Sequence, residues 1–163
     1  GYDDKGKLFD GDGNLVNWWS DKDEKKFKDM TQLMTQQAEK YEYVNPNDGS
    51  KHKINPQLTM GENLADLGGI SLALQALNQH LTELKVSDND RKICQQIYFK
   101  SFANIWKTNI RPATQINYLA IDPHSPTDFR CNLVKNINEF YELYDVQTDD
   151  KMYITPEERV CMW

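Results

Sequence analysis

The run Leu58-Thr59-Met60-Gly61-Glu62-Asn63-Leu64-Ala65-Asp66-Leu67-Gly68-Gly69 sets leucines at 64 and 67, and the pattern continues through Leu74, Leu77, Leu81 and Leu84. Apolar residues recurring at threes, fours and sevens line one face of an α-helix. Thr59 with Glu62 three residues later has capping-box spacing, which predicts a helix that begins near 59 and ends near 84. Gly68 and Gly69 interrupt the pattern. Each is about 1 kcal/mol less favourable than alanine inside a helix, so the pair predicts another backbone passing close by.

The same run places Glu62 and Asp66 four residues apart, hence on one helix face, where two like charges repel unless a cation or donor lies between them. A zinc-bound glutamate, with the aspartate behind it hydrogen-bonded to a ligand histidine, meets that demand. The plain alternative is a Glu62 that closes the capping box and an Asp66 that faces water.

Outward from this helix the chain reads as helices joined by polar turns. Upstream, Lys7-Leu8-Phe9 and Leu15-Val16-Asn17-Trp18-Trp19 flank Asp10-Gly11-Asp12-Gly13-Asn14, which predicts a short β-hairpin near the N-terminus. Ser20 is placed to cap a helix over 21–42 carrying Phe27, Met30, Met34, Ala38 and Tyr41. Residues 45–56, with two prolines and a glycine, read as a surface loop. Downstream, Ser87 and Asp88 open a segment whose Ile93, Ile97, Phe102, Ile105, Trp106 and Ile110 form an apolar face ending before Pro112. Residues 112–130 read as loop-rich with one short helix, Asn136 as the cap of a helix carrying Phe140 and Leu143, and Thr155-Pro156-Glu157-Glu158 as a final turn. The predicted class is mainly α.

Composition narrows the function. The 163 residues fit about one domain. Nineteen Lys+Arg against 25 Asp+Glu leave a net charge of −6, which argues against nucleic acid as a partner. No stretch approaches the ~18 apolar residues of a membrane span. Cys94, Cys131 and Cys161 contain no CxxC pair and read as buried or free thiols, with room for at most one intramolecular disulfide and not for a disulfide-rich scaffold. No Gly-rich phosphate loop or GxSxG elbow occurs. Asp10, Asp12 and Asn14 match the first positions of a calcium loop, but Leu15 stands where its glycine is required, so a plain turn is expected. His52 and His80 are isolated and read as surface residues.

A second chemical segment is Asp122-Pro123-His124-Ser125-Pro126-Thr127-Asp128-Phe129-Arg130, in which two prolines stiffen a loop bearing an imidazole and a guanidinium. In a hydrolase, His124 can donate to the oxyanion of a tetrahedral intermediate while the planar fork of Arg130 holds a carbonyl. The alternative is a loop histidine making local hydrogen bonds and an arginine paired with any nearby carboxylate.

Taken in order, Gly1-Tyr2-Asp3-Asp4, Asp12-Gly13-Asn14-Leu15-Val16-Asn17-Trp18-Trp19, the Gly61–Gly69 run, Tyr98 to Arg111-Pro112, Asp122-Pro123-His124-Ser125-Pro126 with Phe129-Arg130, and a closing Trp163 resemble the neprilysin family of zinc metallopeptidases. The resemblance implies a zincin-type fold. It implies that Glu62 is a zinc ligand, that Asp66 is a catalytic residue orienting a ligand histidine, and that His124 is a catalytic residue stabilising the tetrahedral intermediate. Arg130, Ile105 and Trp106 would bind the peptide substrate, and Asp3 would stand behind a ligand histidine. The family's H-E-x-x-H helix, source of two zinc histidines and the water-activating glutamate, is absent from the chain. Residues 1–163 are therefore expected to be the C-terminal portion of a catalytic domain, inactive alone, partnered by the missing N-terminal part of the same protein. Val160 stands where animal members carry a bridging cysteine, with Leu33 near the expected partner position, so the resemblance implies a bacterial member, with the compartment open among periplasm, cell surface and cytoplasm and the first two favoured. The expected activity is zinc-dependent endopeptidase cleavage of oligopeptides. The alternative is a catalytically dead peptide-binding module on the same fold.

Overall fold

The central helix starts earlier than the capping-box spacing predicts. In the computed structural model, which describes residues 8–162, the helix spans Pro56–Glu83. Asn55 is the residue that caps it: its Oδ1 accepts from the backbone N–H of Gln57 at 3.1 Å and of Leu58 at 3.3 Å. Pro56 sits at the first helical position, where a missing N–H is no loss. Thr59 lies within the helix, with its hydroxyl donating to the Asn55 carbonyl, so the capping-box reading of Glu62 is wrong. Nor do the two glycines break the helix. A Cβ built on Gly69 meets nothing within 4 Å, which overturns the expected close backbone approach at that position. Gly69→Ala is therefore expected to stabilise the chain by about 1 kcal/mol, read as a higher urea midpoint. A lower midpoint would show that something does press on Gly69.

The elements in order are α1 (Asp21–Lys40), β1 (Tyr43–Val44), β2 (Lys51–His52), α2 (Pro56–Glu83), α3 (Asp88–Ile105), α4 (Pro112–Ile121), α5 (Thr127–Cys131), a 3-10 turn (Asn132–Asn136), α6 (Asn138–Tyr144) and a last 3-10 turn (Pro156–Glu158). The mainly helical class with one short antiparallel hairpin is what the structure shows. The described residues fall into two compact units, 8–65 with 110–125 and 66–109 with 126–162.

In the first unit, α1 begins where the Ser20 hydroxyl accepts from the Asp23 N–H at 3.2 Å, as its sequence predicts. Met34, Ala38, Ile54 and Leu64 are buried. The two-stranded hairpin lies further along than expected: Tyr43 pairs with His52 and Val44 with Lys51, so the ends of the proline-containing loop pair. Gly49, at φ +74°, supplies the turn conformation that L side chains disfavour. Around Asp10 the expected hairpin is reduced to a single Phe9–Leu15 bridge. Asp10 Oδ1 accepts from the N–H groups of Asp12 and Asn14 at 3.0 and 2.9 Å. Those bonds, led by Asn14, hold its carboxyl below the usual value, and the segment is the plain turn expected.

In the second unit, Leu67, Ile70, Leu74 and Leu81 of α2 are buried with Phe99, Phe129, Leu133 and Tyr141. The Tyr98 hydroxyl donates to the Ile70 carbonyl at 2.6 Å, and burial pushes its pKa up to about 12. Arg91 donates to the Asn78 carbonyl and to the Thr82 hydroxyl, both at 3.1 Å, tying α3 to α2. The expected apolar face of α3 is only partly covered: Phe102, Trp106 and Ile110 are half-buried, Ile93, Ile97 and Ile105 are exposed, and Phe99 is inside. Trp106 ends α3, five residues before Arg111 precedes Pro112 at the start of α4. Asn136 does not cap α6. Its amide donates to the Leu133 carbonyl and its Oδ1 accepts from the Val160 N–H at 2.8 Å, which anchors the C-terminal segment. Thr155 and Glu158 form the capping box of the final turn. Cys94 and Cys131 are free thiols.

Candidate functional site

The sequence-predicted residues divide between the two units. In the first, Glu62 projects from the second turn of α2, and the imidazole of His124 reaches it: Nε2 lies 3.3 Å from Glu62 Oε2, with both side chains nearly half exposed. His124 sits on the short connection after α4. Asp122 fixes it there. One carboxylate oxygen, Oδ1, accepts from the His124 backbone N–H at 2.8 Å and meets Nδ1 of the same residue at 2.7 Å. An ionised carboxylate only accepts, so Nδ1 carries the hydrogen and Nε2 is the nitrogen turned toward Glu62. Asp122 is the site residue that sequence reasoning missed. The signal was present, since an aspartate two residues before a loop histidine has Asx-turn spacing.

In the second unit, Asp66 and Arg130 form a two-point pair. Arg130 Nη2 donates to Asp66 Oδ1 at 2.8 Å and Nε donates to Oδ2, with 14% and 15% of the two side chains exposed. Asp66 thus does not face water. The guanidinium also lies over the Trp106 ring, 4.3 Å from its centroid, and Phe102 packs edge-on against that ring at 5.8 Å. Arg130 is thereby held by one edge and one face. Its Nη1 end points away from the carboxylate fork, which leaves donors suited to a carbonyl oxygen. Ile105, beside Trp106, is two-thirds exposed. The Thr108 and Thr127 hydroxyls bond at 3.0 Å, linking the segment after Trp106 to the start of α5. Asp3 lies outside the described residues.

A catalytic zinc requires three protein ligands and an open position. Among the described residues no group of three or more His, Cys, Asp or Glu side chains is placed to hold a metal. Glu62 is one accessible carboxylate, and the donors present do not by themselves fit a zinc site.

In the first unit a helix carboxylate faces a clamped imidazole, and in the second an arginine is held by one edge and one face. The comparisons define the class further. The family model described as Peptidase family M13 matches residues 1–160, and the chain belongs to that family, the neprilysin family of metallopeptidases. It is 33% identical over 170 residues to a neutral endopeptidase of Lactococcus lactis subsp. lactis (strain IL1403), covering 99% of this chain and 23% of that protein. It is 34% identical over 170 residues to neprilysin of Oryctolagus cuniculus, covering all of this chain and 22% of the relative. Among solved structures, the Mycobacterium tuberculosis zinc metalloprotease Zmp1 in complex with an inhibitor superposes with a TM-score of 0.83 at 37% identity, over 99% of this chain and 25% of that one. The chain therefore spans about a quarter of the length of the relatives it matches. No helix among the described residues is long and apolar enough to cross a membrane.

Proposed function

We propose that the protein containing this chain is a zinc-dependent endopeptidase acting on oligopeptides, and that residues 1–163 are the C-terminal portion of its catalytic domain. The observation that carries the reading is the opposition of Glu62 and His124, with the imidazole clamped through its other nitrogen. Glu62 is the one ligand this chain offers to the ion, and the remaining ligands come from outside it. Zinc supplies Lewis acidity to such sites when bound. His124 Nε2, when protonated, donates to the oxyanion that develops as the peptide carbonyl becomes tetrahedral, and Asp122 keeps the ring turned to that task. Asp66 holds Arg130 by its Nε edge, leaving Nη1 to bind a backbone carbonyl of the peptide. Trp106 and Ile105 offer apolar surface beside that anchor for a substrate side chain. The isolated chain has one ligand and no water-activating glutamate of an H-E-x-x-H helix, so on its own it is inactive.

The test is hydrolysis of a fluorogenic oligopeptide by the full-length protein. Activity lost on chelation and restored by zinc is expected. Cleavage indifferent to chelator overturns the metal assignment, and binding without cleavage leaves a peptide-binding module in its place. His124→Ala is expected to lower kcat by about 10²–10³-fold while KM moves far less, because its donor is needed where charge develops. A change confined to KM would remove His124 from that role.

A further inference from the structure

Two residues next in sequence to the Glu62–His124 pair carry buried polar atoms of complementary character. Asn63 follows Glu62 on α2 and is 1% exposed; Ser125 follows His124 and is 4% exposed. Asn63 Oδ1 and Ser125 Oγ have no hydrogen-bond partner among the described residues. The orientation of the Asn63 amide is determined by its neighbours. Thr59 Oγ1 donates its one hydrogen to the Asn55 carbonyl at 3.2 Å, so toward Asn63 it acts as an acceptor, and it receives Nδ2–H at 3.2 Å. The amide oxygen, not the nitrogen, is therefore the group left over, and it requires a donor. Ser125 has a hydroxyl hydrogen to give.

Leaving a carbonyl and a hydroxyl dry and unpaired forfeits the hydration of both, and a polar link between them removes both penalties together. Their neighbours already meet, since Glu62 Oε2 and His124 Nε2 lie 3.3 Å apart. The turn of α2 carrying Asn63 and the loop carrying Ser125 are therefore side by side within one unit. We propose that Asn63 and Ser125 are joined by a single internal water, which donates to Asn63 Oδ1 and accepts from the Ser125 hydroxyl, and that this link is a positioning device for His124. An internal water is stable where two or more polar groups converge on it. Asp122 fixes how the imidazole is rotated; the Asn63–Ser125 link fixes how far its loop stands from the helix that bears Glu62. The catalytic part of this inference rests on the peptidase reading, whereas the link itself does not.

The experiment is a double-mutant cycle in the full-length protein with Ser125→Ala, Asn63→Ala and the double variant, plus Ser125→Thr, which keeps the hydroxyl. Ser125→Ala is expected to lower kcat about tenfold, the loss of one buried hydrogen bond's worth of positioning, with KM within about twofold; Asn63→Ala, which also gives up its bond to Thr59, should cost at least as much. The double variant should fall no further than the worse single one, and Ser125→Thr should recover most of the loss. The same non-additivity is expected in unfolding midpoints. Independent effects that multiply, or a Ser125→Ala enzyme with unchanged kcat and midpoint, would overturn the link. If Asn63→Ala does not fold, Ser125→Ala against Ser125→Thr decides. A parent protein without peptide hydrolysis, but with coupled midpoints, would sink the peptidase reading and keep the link.

Discussion

Glu62→Ala in the full-length protein is expected to abolish peptide hydrolysis, lowering kcat/KM by more than about a thousandfold, the several kcal/mol a catalytic metal contributes. Bound zinc should fall with it. The side chain is nearly half exposed and pairs with His124, so in the metal-free protein the unfolding free energy should change by less than about 0.5 kcal/mol. Loss of metal without loss of fold is the signature of a ligand. Zinc measured by atomic absorption, peptide turnover and urea unfolding together provide the check. Retained zinc and turnover would overturn the assignment.

The second large effect is on stability. Asp66→Ala leaves the guanidinium of Arg130, only 14% exposed, without its counter-ion. Breaking a pair in that environment costs about 3–5 kcal/mol because one charge stays dehydrated and uncompensated. Arg130→Met removes the charge, keeps a flexible apolar chain over Trp106, and should recover much of the loss when combined with Asp66→Ala. A non-additive cycle of this kind, read by denaturant unfolding, is the expected result. Small, additive effects would show that the two-point geometry of the pair carries little energy. Turnover should fall in Asp66→Ala as well, since Arg130 then loses the edge contact that aims Nη1.

The helix bearing the two acids was legible because its leucines keep a helical interval, and Leu64, Leu67, Leu74 and Leu81 are buried as that interval requires. Its beginning was not. Asn55-Pro56 reads equally as a turn and as a cap followed by a first helical residue, and only the Asn55 bonds to Gln57 and Leu58 decide between them. The hairpin at 43–52 was hidden for a similar reason: the Pro-Asn-Asp-Gly turn is conspicuous, whereas two-residue strands are too short to show a period. Spacing also cannot tell which apolar stripe has a covering partner: Ile93, Ile97 and Ile105 fall on one helical stripe, yet the chain leaves them exposed. Of the site, Glu62, Asp66, His124 and Arg130 were marked by residue type and motif. What no spacing contained was the pairing, Glu62 with His124 and Asp66 with Arg130, across separations of about sixty residues.

Asp122 grips the backbone and the ring of the same histidine through one oxygen atom. The ring therefore cannot swing aside while the peptide chain beside it keeps its shape, and its freedom is surrendered when the loop folds rather than when a ligand arrives. Warming that frays residues 122–126 would disarm the imidazole before the helices melt, so inactivation by heat should precede the loss of helical signal.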